Sequence, residues 1–153
     1  MIMQKHIERI DNLSCSDADN LTVEKLGHFN LFSGKTENGY SCIVFKLRWL
    51  YNKNKNVVCE EDFLYLHHYS DLKEMIRKWF KSIKNDNIQI FATTQRLDVI
   101  QAFAEVAQEY QDIEAYYYRL GRSERDSNKG QSIVTMYEAD RLLELTKQNI
   151  EVR

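Results

Sequence analysis

The stretch Phe29 to Val44, FNLFSGKTENGYSCIV, constrains this chain more than any other. An apolar run (Phe29 to Phe32) leads into a Gly-and-polar segment (Ser33 to Gly39), and Ser41 then opens a helical pattern. Strand, glycine turn and helix N-terminus in that order make a phosphate-binding loop, because backbone N–H groups and the helix dipole converge on one anion. The spacing Gly34-x4-Gly39-x-Ser41 matches G-x-x-x-x-G-K-[ST] at every fixed position except the lysine, which here is Tyr40.

At 153 residues the chain is long enough for one domain with a real core. A hydrophobic content of 43%, with 12% aromatic, argues for folding rather than disorder. A net charge of −2 gives no global field that would draw nucleic acid or a membrane surface. Met1 to Asp19 is polar and charged, so no signal peptide is expected, and no run approaches the length of a membrane span. Cys15, Cys42 and Cys59 have no metal-ligand spacing and fit reduced thiols in a cytoplasmic protein.

In chain order, Met3 to Ile10 reads as an edge strand, the Ser/Asp/Asn-rich Asp11 to Asn20 as a loop, and Leu21 to Leu26 as a second short strand. Ile43, Val44, Leu47 and Leu50 give a helical face after the loop, and YNKNKN (Tyr51 to Asn56) a polar connection. Val57 to Cys59 is a short β-branched run. Ser70 is the expected N-cap of a helix through Trp79 and Ile83, broken at Asn85 to Asn87. IQIFAT (Ile88 to Thr93) is the most strand-like segment. An amphipathic helix follows, with Leu97, Ile100, Phe103, Ala104 and Ala107 on one face. This alternation predicts a parallel α/β core with right-handed crossovers. Ile113 to Leu120 and Ser132 to Tyr137 then read as a long-looped antiparallel pair, and Glu138 to Gln148 as a last helix before the tail NIEVR.

Four of these segments resemble one family in one order. LGHFNLFSGKTENGYS (Leu26 to Ser41) resembles the phosphate loop "LG-x-x-NLF-x-GKN-x-SGKS" of ABC-class ATPase heads, the RecF-like and SMC-related AAA ATPases often found in bacterial defence and DNA-repair settings. VVCEEDFLYLHHYS (Val57 to Ser70) resembles their Walker B strand and the turn after it. IQIFATTQRLDVIQAF (Ile88 to Phe103) resembles the segment carrying their switch histidine, and NIEVR resembles their usual ending. The resemblance implies a P-loop NTPase-like three-layer core with a mainly parallel sheet, antiparallel strands at the N- and C-terminal ends, and one minimal head-like domain over residues 1–153. It also implies that IQIFAT lies between the phosphate-loop strand and the Val57 strand.

The departures bear on chemistry. Family members carry a helical lobe with a signature motif where this chain has only YNKNKN. The loop lysine is Tyr40, the Walker B pair aligns best with Glu61 and Asp62, and the switch histidine is Gln95. Losing one charge about 4 Å from a phosphate forfeits up to about 4 kcal/mol at an effective dielectric near 20. Lys35 does not replace it, because the family has a lysine there beside the catalytic one. The degenerate loop, Gly34, Lys35, Thr36, Asn38, Gly39, Tyr40 and Ser41, therefore offers at most weak binding of ATP with magnesium or of an anion. No cofactor and no efficient hydrolysis are expected. Were magnesium bound, Ser41 and Glu61 would hold it.

Other residue types have blander readings beside their functional ones. His67 and His68 near Glu60 to Asp62 fit the family's turn better than a metal site. Tyr116 to Tyr118 alternate faces on a strand, so at least one is core rather than a base-stacking platform. Cys42 is a small packed residue before it is a reactive thiol. Lys53 and Lys55 are solvated linker. Three functions follow: a head-like protein that binds or regulates a partner, a residual ATPase, and a scaffold indifferent to nucleotide. Self-association or a protein partner is expected through the face around Trp49 and Tyr51, with nucleic acid contacted only indirectly and no membrane contact.

Overall fold

Two short runs rich in apolar residues, FNLFSG and QIFAT, each too short for an amphipathic helix and buried along their whole length, form the middle of the main sheet. The computed structural model describes residues 5–15, 18–34, 56–61, 69–123, 125–127, 130 and 132–153. Its strands are β1 (Ile10–Cys15), β2 (Ala18–Val23), β3 (Phe29–Gly34), β4 (Val57–Glu61), β5 (Gln89–Thr93), β6 (Ala115–Arg122) and β7 (Ser132–Glu138). Its helices are α1 (Tyr69–Asp86), α2 (Leu97–Ala107) and α3 (Ala139–Lys147). Five strands make one sheet in the order β4-β5-β3-β6-β7, parallel except for the β6–β7 pair, and β1 and β2 form a separate antiparallel sheet. IQIFAT thus lies between the Val57 strand and the strand of the phosphate-loop motif, as the sequence reading requires.

Side-chain alternation sorts the core into two layers. Phe29 and Leu31 of β3, Ile90 and Ala92 of β5, and Tyr117 of β6 face the helices, where Phe29 packs against Phe80 and Phe103 at ring distances of 5.0 and 5.1 Å. Phe32, Phe91, Tyr116 and Tyr118 face the other way, against Ile10, Leu21, Val23 and Leu26. The described residues therefore form three layers, helices over sheet over hairpin.

The hairpin corrects the sequence reading. Asp11 to Cys15, expected as loop, belongs to β1, and the second strand begins at Ala18 rather than Leu21 and ends before Leu26. Polar composition favoured turns there, but Leu21 and Val23 are buried with Thr22 half-exposed between them, and burial of that alternating face outweighs local propensity. Of the expected edge strand Met3 to Ile10, residues 5–9 lie outside regular structure and Ile10 opens β1, while Met3 and Gln4 lie outside the described residues. Ser70 is likewise not an N-cap, because α1 starts at Tyr69. The helix stops where expected, with Asn87 in the left-handed region at φ 54°. In α2 Leu97 is 38% exposed, while Val99, Ala102 and Val106 are buried beside the expected Ile100, Phe103, Ala104 and Ala107. Packing against α1 and α3 as well as the sheet leaves this central helix with almost no polar face.

All three tyrosines of the run Tyr116 to Tyr118 are buried, which excludes them as a stacking platform for bases. Tyr118 stacks on Phe32 at 4.7 Å, and Tyr117 on Tyr137 at 5.8 Å.

Candidate functional site

The residues singled out in the sequence divide by where they fall. Lys35, Thr36, Asn38, Gly39, Tyr40, Ser41, Cys42, Trp49, Tyr51, Lys53, Lys55, Asp62, His67 and His68 lie outside the described residues. Gly34, Glu61 and Gln95 lie within them. Glu61 is the last residue of β4 and is level with Thr93 of β5, which is level with Phe32 of β3. One backbone row thus brings the ends of three parallel strands to the same edge, the C-terminal edge where open α/β sheets take their ligands.

Gly34 closes β3 in extended conformation. A Cβ there would come within 2.7 Å of Leu120 Cβ and 3.0 Å of Leu120 O, so close packing against β6 already requires a glycine at this position. Gln95 follows β5 with an exposed side chain. Beside both runs a cleft of about 390 Å3, lined by Ser33, Gly34, Gln95, Arg119, Glu151 and Arg153.

Half of that lining comes from β6 and the tail, which sequence reasoning passed over. The tail reaches the cleft through a chain of local causes. Helix α3 ends with Asn149 in the left-handed region at φ 57°, while the amides of Asn149 and Ile150 donate to the carbonyls of Thr146 and Leu145. This Schellman turn sends the chain back past Tyr117 and Arg119 of β6. Val152 is then buried in the helix-side core, the Tyr117 hydroxyl donates to its carbonyl at 2.5 Å, and Arg119 Nε donates to the Arg153 carbonyl at 2.8 Å. Arg153 grips Glu151 through Nε and a terminal nitrogen, each at 3.0 Å, which lowers the Glu151 carboxyl to about 2. The signal for this arrangement was the single apolar Val152 between charges, too short to show a period.

Two buried hydroxyls at the same edge, Ser33 Oγ and Thr93 Oγ1, have no hydrogen-bond partner among the described residues. Ser33 faces Tyr117 closely enough to offset a little of that phenol's raised pKa, which burial dominates. It makes no hydrogen bond of ordinary geometry with Tyr117, whose own proton goes to Val152.

The other landmarks of the LG-x-x-NLF segment turn out to be architectural. A Cβ on Gly27 would lie 2.5 Å from the Glu114 carbonyl. Asn30 accepts from the Gly27 amide at 2.7 Å, donates to the Gly27 carbonyl at 2.8 Å, and has the Tyr118 hydroxyl 3.0 Å from its oxygen. Gln89 ties β5 to the N-terminal segment, accepting from the amides of His6 and Ile7 and donating to the carbonyls of Ile7 and Gly27. Leu26 is fully buried. Among the described residues no group of three or more His, Cys, Asp or Glu could hold a metal ion, and no helix is long and apolar enough to cross a membrane.

No protein-family model matches the chain, and no curated protein matches it. Among solved structures, one from work on ATP-driven dimerization and DNA-stimulated activation of SMC ATPases is similar over 75% of this chain, at 13% identity and a TM-score of 0.39. The chain spans 63% of the length of that SMC ATPase chain. No residue role is carried over from a likeness of that degree; the α/β architecture stands on the strand order and register themselves.

Proposed function

We propose that residues 1–153 are one degenerate ATPase-head-like domain that acts by binding rather than by catalysis. It takes nucleotide or an anion weakly or not at all, and it regulates or pairs with a protein partner, another head or a second copy, in a cytoplasmic defence or DNA-maintenance setting. The observation that carries this reading is Gln95, exposed beside Gly34 at the cleft, in the position that the resemblance gives to the switch histidine. A carboxamide can neither accept nor relay a proton near neutral pH, so a histidine's part in positioning the reacting groups is lost. Tyr40 in place of the loop lysine removes the fixed charge on which phosphoryl transfer depends.

The experiment is an ATP titration with and without magnesium, run beside a phosphate-release assay. Weak or absent binding without turnover supports the reading. Turnover by the unmodified chain that Ser41→Ala abolishes would overturn it in favour of a residual ATPase. Light scattering at micromolar concentration, with Trp49→Glu as the comparison, tests pairing.

One observation favours the scaffold alternative. Gly27, Asn30 and Gly34 each have a packing or hydrogen-bonding reason to be what they are, with no nucleotide required. A chain that binds neither ATP nor an anion and still recruits its partner would be that scaffold.

A further inference from the structure

Arg119 of β6 carries a charge that its bond to the tail uses only in part. Arg119 stands opposite Ser33 in the parallel register, so both side chains leave the sheet on the side where Tyr117 packs against the helices. Its Nε is committed to the Arg153 carbonyl, and its two terminal nitrogens have no partner among the described residues. The cleft sets two guanidiniums, Arg119 and Arg153, against one carboxylate, Glu151, whose two oxygens are both taken by Arg153. Ser33, 1% exposed, lines the same cleft with its hydroxyl unpartnered among the described residues, a state that buried hydroxyls avoid. The volume of about 390 Å3 lies within the usual range for small-ligand sites, roughly 300–1,000 Å3.

We propose that this cleft binds the phosphate of a small phosphorylated ligand, with Arg119 as the cation that grips it and Ser33 as a hydroxyl donor. The planar fork of a guanidinium presents two parallel N–H groups to a phosphate, which an ammonium cannot do. Arg119 comes from β6, so this charge does not depend on position 40, where the loop has tyrosine. The tail is the platform: with Nε fixed on the Arg153 carbonyl and Tyr117 holding the Val152 carbonyl, the guanidinium is oriented before any ligand arrives. The inference rests on the reading that this edge of the sheet still takes an anion without hydrolysing it.

The test is calorimetric titration of the whole chain with inorganic phosphate and, separately, with ATP, at low salt. Arg119→Lys keeps the charge and loses the fork; it is expected to weaken phosphate binding by about tenfold or more, the usual size for a lost charge-assisted bond. Glu151→Gln removes the competing carboxylate and should tighten binding several-fold, a gain that a misfolded variant cannot imitate. Tyr117→Phe loosens the tail without touching a charge and should change affinity far less than Arg119→Lys. Equal sensitivity of both probes to Arg119→Lys assigns the site to a nucleotide's phosphate; sensitivity of inorganic phosphate alone assigns it to free phosphate. The proposal fails if the unmodified chain binds neither probe at about 10 mM, equivalent to only about 2.7 kcal/mol. It fails also if Arg119→Lys binds as the unmodified chain does, or if Glu151→Gln weakens binding. A phosphate-release signal would defeat the non-catalytic reading while leaving the Arg119 dependence standing, so the two failures are distinct.

Discussion

At the scale of single residues, the glycine of the phosphate-loop spacing has two claims on it. Loop chemistry asks for backbone approach to an anion; packing asks for room beside Leu120. The second is sufficient, since any Cβ at Gly34 would sit 2.7 Å from Leu120 Cβ, against strand backbone that cannot swing away. Gly34→Ala is therefore expected to destabilise the fold by about 1–3 kcal/mol, the usual cost of overpacking, measured as a lower urea midpoint with no ligand present. Unchanged stability would return Gly34 to the loop. Spacing in the sequence showed that a glycine was needed, but not why, because the reason lies on a strand 86 positions further along (Gly34 to Leu120). Buried phenols give a second prediction. Tyr117 and Tyr118 have pKa values raised far above the ordinary 10.0 by burial, so the unfolded chain ionises first as pH rises. Their contribution is complete below pH 10 and is lost above it, at roughly 1.4 kcal/mol each by one unit beyond their unfolded value. Urea unfolding at pH 9 and 11 should show this loss, and Tyr117→Phe should remove about half of its pH dependence.

At the scale of elements, what the sequence revealed was whatever its local pattern could carry. IQIFAT carries the unbroken apolar run Ile90, Phe91 and Ala92 because it is covered twice, by helices through Ile90 and Ala92 and by the hairpin side through Phe91, and such a run announces a central strand. The resemblance added its neighbours, β3 and β4. The β1–β2 hairpin was only partly legible: among the described side chains Ile10, Leu21 and Val23 dock it on the core, and the polar residues between Ile10 and Leu21 in the sequence read as turn. The tail was illegible for a related reason, since one buried valine makes no pattern. Its course is set instead by a helix stop. Asn149 holds φ 57°, a region that costs an ordinary L-residue about 1–2 kcal/mol and a β-branched one more. Asn149→Val should therefore lower stability by about 1–2 kcal/mol, while Asn149→Gly should leave it unchanged or raise it slightly. Both are read from thermal or urea unfolding. Equal behaviour of the two variants would mean that the Schellman turn does not direct the tail, and would remove the platform on which Arg119 rests.

At the scale of the whole molecule, catalysis would need parts delivered by separate elements to one edge of the sheet. The backbone does gather the ends of β3, β4 and β5 there, with Glu61, Thr93 and Phe32 in one row. Under the proposed reading, what is missing is the lysine that the resemblance puts at Tyr40, the histidine that it puts at Gln95, and the lobe with its signature motif that it puts where this chain has the six residues YNKNKN. These losses are unequal. A lysine contributes chiefly to holding the β- and γ-phosphates, so restoring it acts on binding; the histidine and the signature motif act on positioning in the transition state. Tyr40→Lys alone should then strengthen ATP binding by one to three orders of magnitude, the span of about 1.4–4 kcal/mol for one recovered charge near a phosphate, while phosphate release stays at background. Titration and phosphate release on the same preparation measure both quantities. Turnover appearing on this single change would mean that Gln95 and the missing lobe are not what silences the site, and that position 40 by itself separates this chain from a working ATPase.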